Sequence, residues 1–179
     1  MIELYDVTAY DKMTVEDLEN YRTNLKRLNT LYERKKKIET KLTGLKSVDL
    51  TKDKVTTGTG KRFSLPEFYT IALEDINANI KEFESHFAKV KPWYLSQLKR
   101  IENERQREVL YLFFMKLYKV SQIALLVFVV EPDLDVKLDY YEARVKEIKR
   151  AGLRNVQKLG AQVVKEYARQ LVLDERINL

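Results

Sequence analysis

The sequence predicts an all-α protein: a long antiparallel, coiled-coil-like helical hairpin joined to a compact C-terminal bundle of short helices that contains a helix-turn-helix-like unit. Three observations carry this expectation. The 179 residues include only 5 glycines and 3 prolines, too few turn-formers for a sandwich or a barrel. Apolar residues recur three and four apart over two long stretches, which is the period of a helix face and not of a strand. The last third of the chain breaks instead into short apolar segments separated by capping residues and Pro132. A 45% hydrophobic content supports a real core, and the length suits about one domain with a helical extension. The expected division is residues 1–100 for the hairpin, with a loop at about 46–63, and 101–179 for the helix-turn-helix-like domain with its C-terminal helix.

The first helix opens at Thr14-Val15-Glu16-Asp17, where a hydroxyl caps the first turn and two acids meet the positive end of the helix dipole. Leu18, Tyr21, Leu25, Leu28, Leu31, Ile38, Leu42 and Leu45 form a narrow seam with one stammer at Leu28 to Leu31. Glu33-Arg34-Lys35-Lys36-Lys37 between its halves reads as a solvated helix face, with a phosphate-contacting patch as the alternative. Residues 46–63 then replace periodic leucines with Ser, Thr, Gly and Lys, the composition of a loop or hinge. Gly60-Lys61 does not make a phosphate loop, because Val55 stands where the first glycine belongs and Arg62 where Ser or Thr belongs.

A capping box, Ser64-Leu65-Pro66-Glu67, starts the second long helix. Tyr69, Leu73, Ile76, Ile80, Phe83, Phe87, Val90 and Tyr94 follow at spacings of four and three without a fault. Two such helices form an antiparallel hairpin or offer the seam to a second copy of the chain. Pro92 is expected to kink the helix or end it near residue 91, with Trp93, Tyr94, Leu95 and Leu98 packing where the next module begins.

Asn103 caps a helix over 104–117 whose apolar face is Val109, Leu110, Leu112, Phe113 and Leu117. A short helix with Val120, Ile123, Ala124 and Leu125 follows. Residues 126–130 are apolar throughout and read as a buried turn or a short strand. After Pro132, Asp133 and Asp135 are placed to cap a helix over 136–150, with Leu138, Tyr141, Val145 and Ile148 inward and Lys137, Tyr140, Arg144, Lys149 and Arg150 outward. Gly152 is expected to stop or bend it. A final helix, 153–173, carries a stripe of Val156, Leu159, Val163, Tyr167 and Leu171.

The chemistry-bearing residues argue against an enzyme. The chain has no cysteine and one histidine, His86, which excludes a thiolate metal site, removes most zinc or non-haem iron constellations and leaves no histidine-containing triad to assemble, and no cofactor or metal is expected. A recombinase His-x-x-Arg is excluded because His86 is followed by Phe87-Ala88-Lys89. Asp133, Asp135 and Asp139 fall at calcium-loop positions, but Leu138 and Arg144 occupy the positions that need Gly and Glu. The longest apolar run, 123–130, has eight residues, and Glu3 and Asp6 interrupt the start of the chain, so no membrane segment or secretory leader is expected and the location is cytoplasmic. The net charge of +6 is concentrated: residues 137–169 hold nine Lys/Arg against four Asp/Glu. A basic helix after two short helices is the electrostatic footprint of a DNA-reading helix, although a solvated cationic face has the same composition.

Residues 105–124, which read Arg105-Gln106-Arg107-Glu108-Val109-Leu110-Tyr111-Leu112 and continue to Ser121-Gln122-Ile123-Ala124, resemble the ArpU/RinA family of phage late transcription regulators. The resemblance implies a coiled-coil N-terminal half, a Ser/Thr/Gly-rich linker where Thr56 to Gly60 stand, a second long helix and a sigma-factor-like helix-turn-helix. It covers residues 20–150 and implies binding of double-stranded DNA in a bacterial host cytosol and activation or modulation of phage operons, without catalysis. Three departures stand out: Phe113 where the family has a basic residue, Leu117 where it has glycine, and an apolar 125–130 where it has a polar turn. Lys137, Tyr140, Arg144, Lys149 and Arg150 are therefore the expected DNA contacts. If DNA binding is lost, Leu125, Leu126, Phe128 and Val130 are the expected contacts of a protein partner such as RNA polymerase or a repressor. The heptad seams leave a homodimer open.

Overall fold

The structure, a computed structural model, describes residues 12–45, 54–56 and 62–177. It is all-α apart from one small ribbon, and α1 (Val15–Leu45) and α2 (Leu65–Lys99) pack together as the seams require. The chain divides into two compact units, Met1–Leu25 with Lys89–Leu179 and Lys26–Ala88. The division thus runs through both long helices and not at residue 100.

Both long helices start at reciprocal caps. At α1 the Asp17 amide donates to Thr14 Oγ1 at 3.1 Å while the Thr14 amide donates to Asp17 Oδ2 at 2.7 Å. At α2 the Ser64 amide and hydroxyl donate to Glu67 Oε2 at 2.7 and 2.8 Å, which holds the Glu67 carboxyl below its ordinary pKa. In the unit 26–88, Leu28, Ile80, Phe83 and Phe87 are buried along the seam, and Tyr32 donates to Glu84. In the other unit Leu18 and Tyr21 of α1 and Tyr94 and Leu98 of α2 are buried, the Tyr21 and Tyr94 ring centroids lie 4.7 Å apart, and the Tyr94 hydroxyl donates to the Asp17 carbonyl at 2.8 Å. Contacts of α1 with α2 run from Tyr21 with Tyr94 through Tyr32 with Glu84 to Lys41 with Tyr69, so the partner falls on α2 as it rises on α1 and the helices are antiparallel, the hairpin of the two alternatives.

Two expectations at the ends of α2 need correction. Part of the anticipated loop is ordered: β1 (Lys54–Thr56) and β2 (Arg62–Ser64) pair antiparallel with Val55 opposite Phe63. Residues 46–53 and 57–61, including most of the linker segment, lie outside the described residues. Pro92 does not end the helix, which runs on to Lys99. An interior proline costs about 3 kcal/mol, yet Val90, Tyr94 and Leu98 are all buried on one face across it, and each such burial returns about 1.5–3 kcal/mol.

The bundle begins with α3 (Glu104–Leu110), capped by Asn103 Oδ1, which accepts from the Gln106 amide at 3.1 Å. Its expected continuation to 117 changes period: Tyr111–Met115 is a π-helical segment. The buried face runs from Val109 and Leu110 onto Phe114 and Met115; Phe114 stands four after Leu110, whereas Met115, five after it, is brought inward by the wider turn. The chain leaves through Leu117 at φ 59°, with the Tyr118 amide bonded to the Leu112 carbonyl at 3.1 Å. Then come α4 (Val120–Val127) and α5 (Leu138–Ile177).

The stretch 126–130 is not a strand. It is the end of α4 and a run of turns. Nor does Gly152 stop α5, which joins the two helices expected on either side of it. The glycine serves a crossing: a Cβ at 152 would meet Leu110 Cδ1 at 3.0 Å and Cγ at 3.2 Å. Val156 is buried and Leu159 half-buried on the expected stripe, while the side chains of Val163, Tyr167 and Leu171 lie outside the described residues.

Candidate nucleic-acid interface

The helix-turn-helix-like unit is held by one core: Val109 from α3, Ile123 and Ala124 from α4, Phe128 and Leu134 from the turn, and Tyr141 and Val145 from α5. Spacing alone put Tyr141, Val145 and the half-buried Leu138 and Ile148 inward, and they are. Phe128, expected on a partner surface, is instead 5% exposed against the Tyr141 ring. The turn points Phe128 and Leu134 into the core and Val129 and Val130 out.

The five expected DNA contacts separate. Lys137 Nζ lies 2.6 Å from Asp133 Oδ2, and the Tyr141 hydroxyl donates to Asp133 Oδ1 at 2.6 Å. The hydrogen bonds from Lys137 and Tyr141 hold the Asp133 carboxyl below its ordinary range, while the same contact raises Lys137 and pushes Tyr141 up to about 12. Lys137 is therefore already paired. Lys149 is not outward: its Nζ lies 4.0 Å from the Phe113 ring centroid, and the Arg22 guanidinium lies 3.8 Å from the same ring. Burial first, and then Arg22 and Arg150, lower the Lys149 pKa. Arg22 also donates from Nε to the Phe113 carbonyl at 3.0 Å, so Phe113 has two cations against it. Tyr140 is exposed beside the acids Asp139 and Glu142.

Arg144 and Arg150 do come together. They line an open groove of about 510 Å³ between the start of α3 and the middle of α5, along with Arg105, Arg154, Asn103, Gln106 and Glu147. Arg144 pairs with Glu147 at 3.0 Å. Among the described residues Arg105, Arg150 and Arg154 have no carboxylate partner. The walls are tied together by the close approach at Gly152 and by the Asn155 amide, which donates to Gln106 Oε1 at 2.7 Å. Gln106, in a position to close its own helix cap, is used for this tertiary tie. Arg105 and Arg154 were missed. The four-residue step from Arg150 was a readable signal for Arg154, whereas Arg105 is placed only by the crossing of α3 on α5.

A second surface lies at the end of α4. Leu125 and Leu126 are about half exposed, and Val129 and Val130 are 69% and 83% exposed. Consecutive exposed aliphatics of this kind are unusual on a surface that contacts only water. The basic run Arg34 to Lys37 is the solvated face of α1, where Lys35 meets Glu39 at 4.0 Å.

Among the described residues no cluster of three His, Asp or Glu is placed to hold a metal ion, and no helix is long and apolar enough to cross a membrane. In comparisons with known proteins the chain matches no family model, no curated protein and no solved structure.

Proposed function

We propose that the chain is a DNA-binding transcriptional regulator of phage operons, similar to the ArpU/RinA type, that works in the host cytoplasm without a catalytic step. One observation carries the reading: beyond its acidic first turn, α5 turns Arg144, Arg150 and Arg154 to solvent with one paired acid, Glu147, among them. The guanidinium groups of Arg150 and Arg154, which have no carboxylate partner among the described residues, lie on the third helix of a three-helix unit, where a duplex backbone requires cations. The acids at 131–142 make the N-terminal end of α5 a poor approach for phosphate, so the contact is assigned to its middle turns and not to Lys137.

The test is the double variant Arg144→Ala/Arg150→Ala, titrated against promoter fragments from the phage genome that encodes the protein. Binding to the preferred fragment falls by about tenfold or more, since charge-assisted hydrogen bonds are worth about 1.5–3 kcal/mol each. Unchanged binding would remove Arg144 and Arg150 from the interface.

A second reading is favoured by the exposure of Leu125, Leu126, Val129 and Val130. On this reading the unit is an interaction module whose α4 end docks on RNA polymerase or a repressor. A wild-type chain that binds no promoter fragment would favour it over the first.

A further inference from the structure

We propose that the groove between α3 and α5 is a phosphodiester clamp in which Arg105 and Arg154, from opposite walls, take a backbone phosphate of duplex DNA. The inference rests on the DNA-binding reading above and deepens it by naming where the backbone crosses. Arg144 is already engaged by Glu147 at 3.0 Å, which leaves Arg150, Arg154 and Arg105, whose guanidinium also lies 5.7 Å from the Phe128 ring centroid, without a carboxylate partner among the described residues. Three like charges facing one open groove of about 510 Å³ repel one another until an anion enters. A planar guanidinium fork matches two phosphate oxygens at once, and this groove carries arginine and not lysine at all three positions.

The groove is also organised in advance. Its walls are joined by the Gln106 to Asn155 hydrogen bond at 2.7 Å and by the Gly152 crossing, where a Cβ would sit 3.0 Å from Leu110 Cδ1. Little ordering is left to occur on binding. The acids Asp139 and Glu142 sit at the other end of the exposed face of α5. Duplex backbone therefore crosses at residues 150–154 and avoids the first turn.

The experiment uses the full chain and a labelled random-sequence duplex, with affinity measured by fluorescence anisotropy over a series of salt concentrations. Arg105→Ala and Arg154→Ala each flatten the slope of log affinity against log salt by about one. Arg154→Lys recovers the slope but not the affinity, because an ammonium cannot replace a bidentate fork. Lys36→Ala, on the exposed face of α1, leaves the slope unchanged. Thermal melts of the variants match wild type, since both arginines are exposed. If wild type binds with a steep salt dependence and neither alanine variant changes it, the clamp is wrong and the DNA-binding reading stands. If wild type shows no salt-dependent binding, both fail.

Discussion

Leu117 sits in left-handed backbone at φ 59°, where a Cβ costs about 1–2 kcal/mol. This backbone conformation is one that glycine adopts freely and leucine does not. Leu117→Gly relieves the strain and sacrifices a half-buried side chain, so its net effect is within about 1 kcal/mol of zero, whereas the β-branched Leu117→Val destabilises by about 1 kcal/mol or more. Urea melts of the two variants decide this; a Val variant as stable as the Gly variant would show that the turn is not strained. Local chemistry at this scale was legible: the caps at Thr14, Ser64 and Asn103 depend only on residues three apart. Lys149 was partly legible. It stands four after Val145, on the buried side of α5, but the ring that receives it belongs to Phe113 and is supplied by another helix.

Helix ends were misread where tertiary packing outweighed a local breaker. Pro92 and Gly152 are breakers by propensity, and each lies inside a helix because the apolar face continues beyond it. For Gly152 the residue choice is set by Leu110, which is fully buried and cannot retreat from a new methyl group. Gly152→Ala gains up to about 1 kcal/mol of helix propensity and meets an overpacking cost of about 1–3 kcal/mol. Chemical denaturation is expected to show a net loss of about 1 kcal/mol, and a more stable variant would mean that α3 and α5 do not cross as closely as described. The π-helical segment Tyr111–Met115 was invisible in advance because its extra residue per turn leaves no mark on the polar and apolar pattern. The ribbon of Lys54–Thr56 and Arg62–Ser64 was missed for a related reason: three residues per strand are too few to show a period of two.

For the whole molecule, the fold class and the order of helices followed from periodicity, while the candidate site followed only in part. Charge content placed basic residues on α5, but it could not show that Lys137 is paired with Asp133, that Lys149 lies against Phe113, or that Arg105 comes across from α3 to join Arg150 and Arg154. Those facts depend on which helix crosses which, and a single sequence does not encode a crossing in any local pattern. The central claim is that this arginine surface binds duplex DNA. Its most direct test is the affinity of the wild-type chain for promoter fragments of the genome that encodes it and for a random duplex, each at two salt concentrations. The account predicts one fragment bound far more tightly than random duplex, with affinity falling steeply as salt rises. Weak binding with no preference among fragments near physiological salt would contradict it and leave the exposed end of α4 as the functional surface.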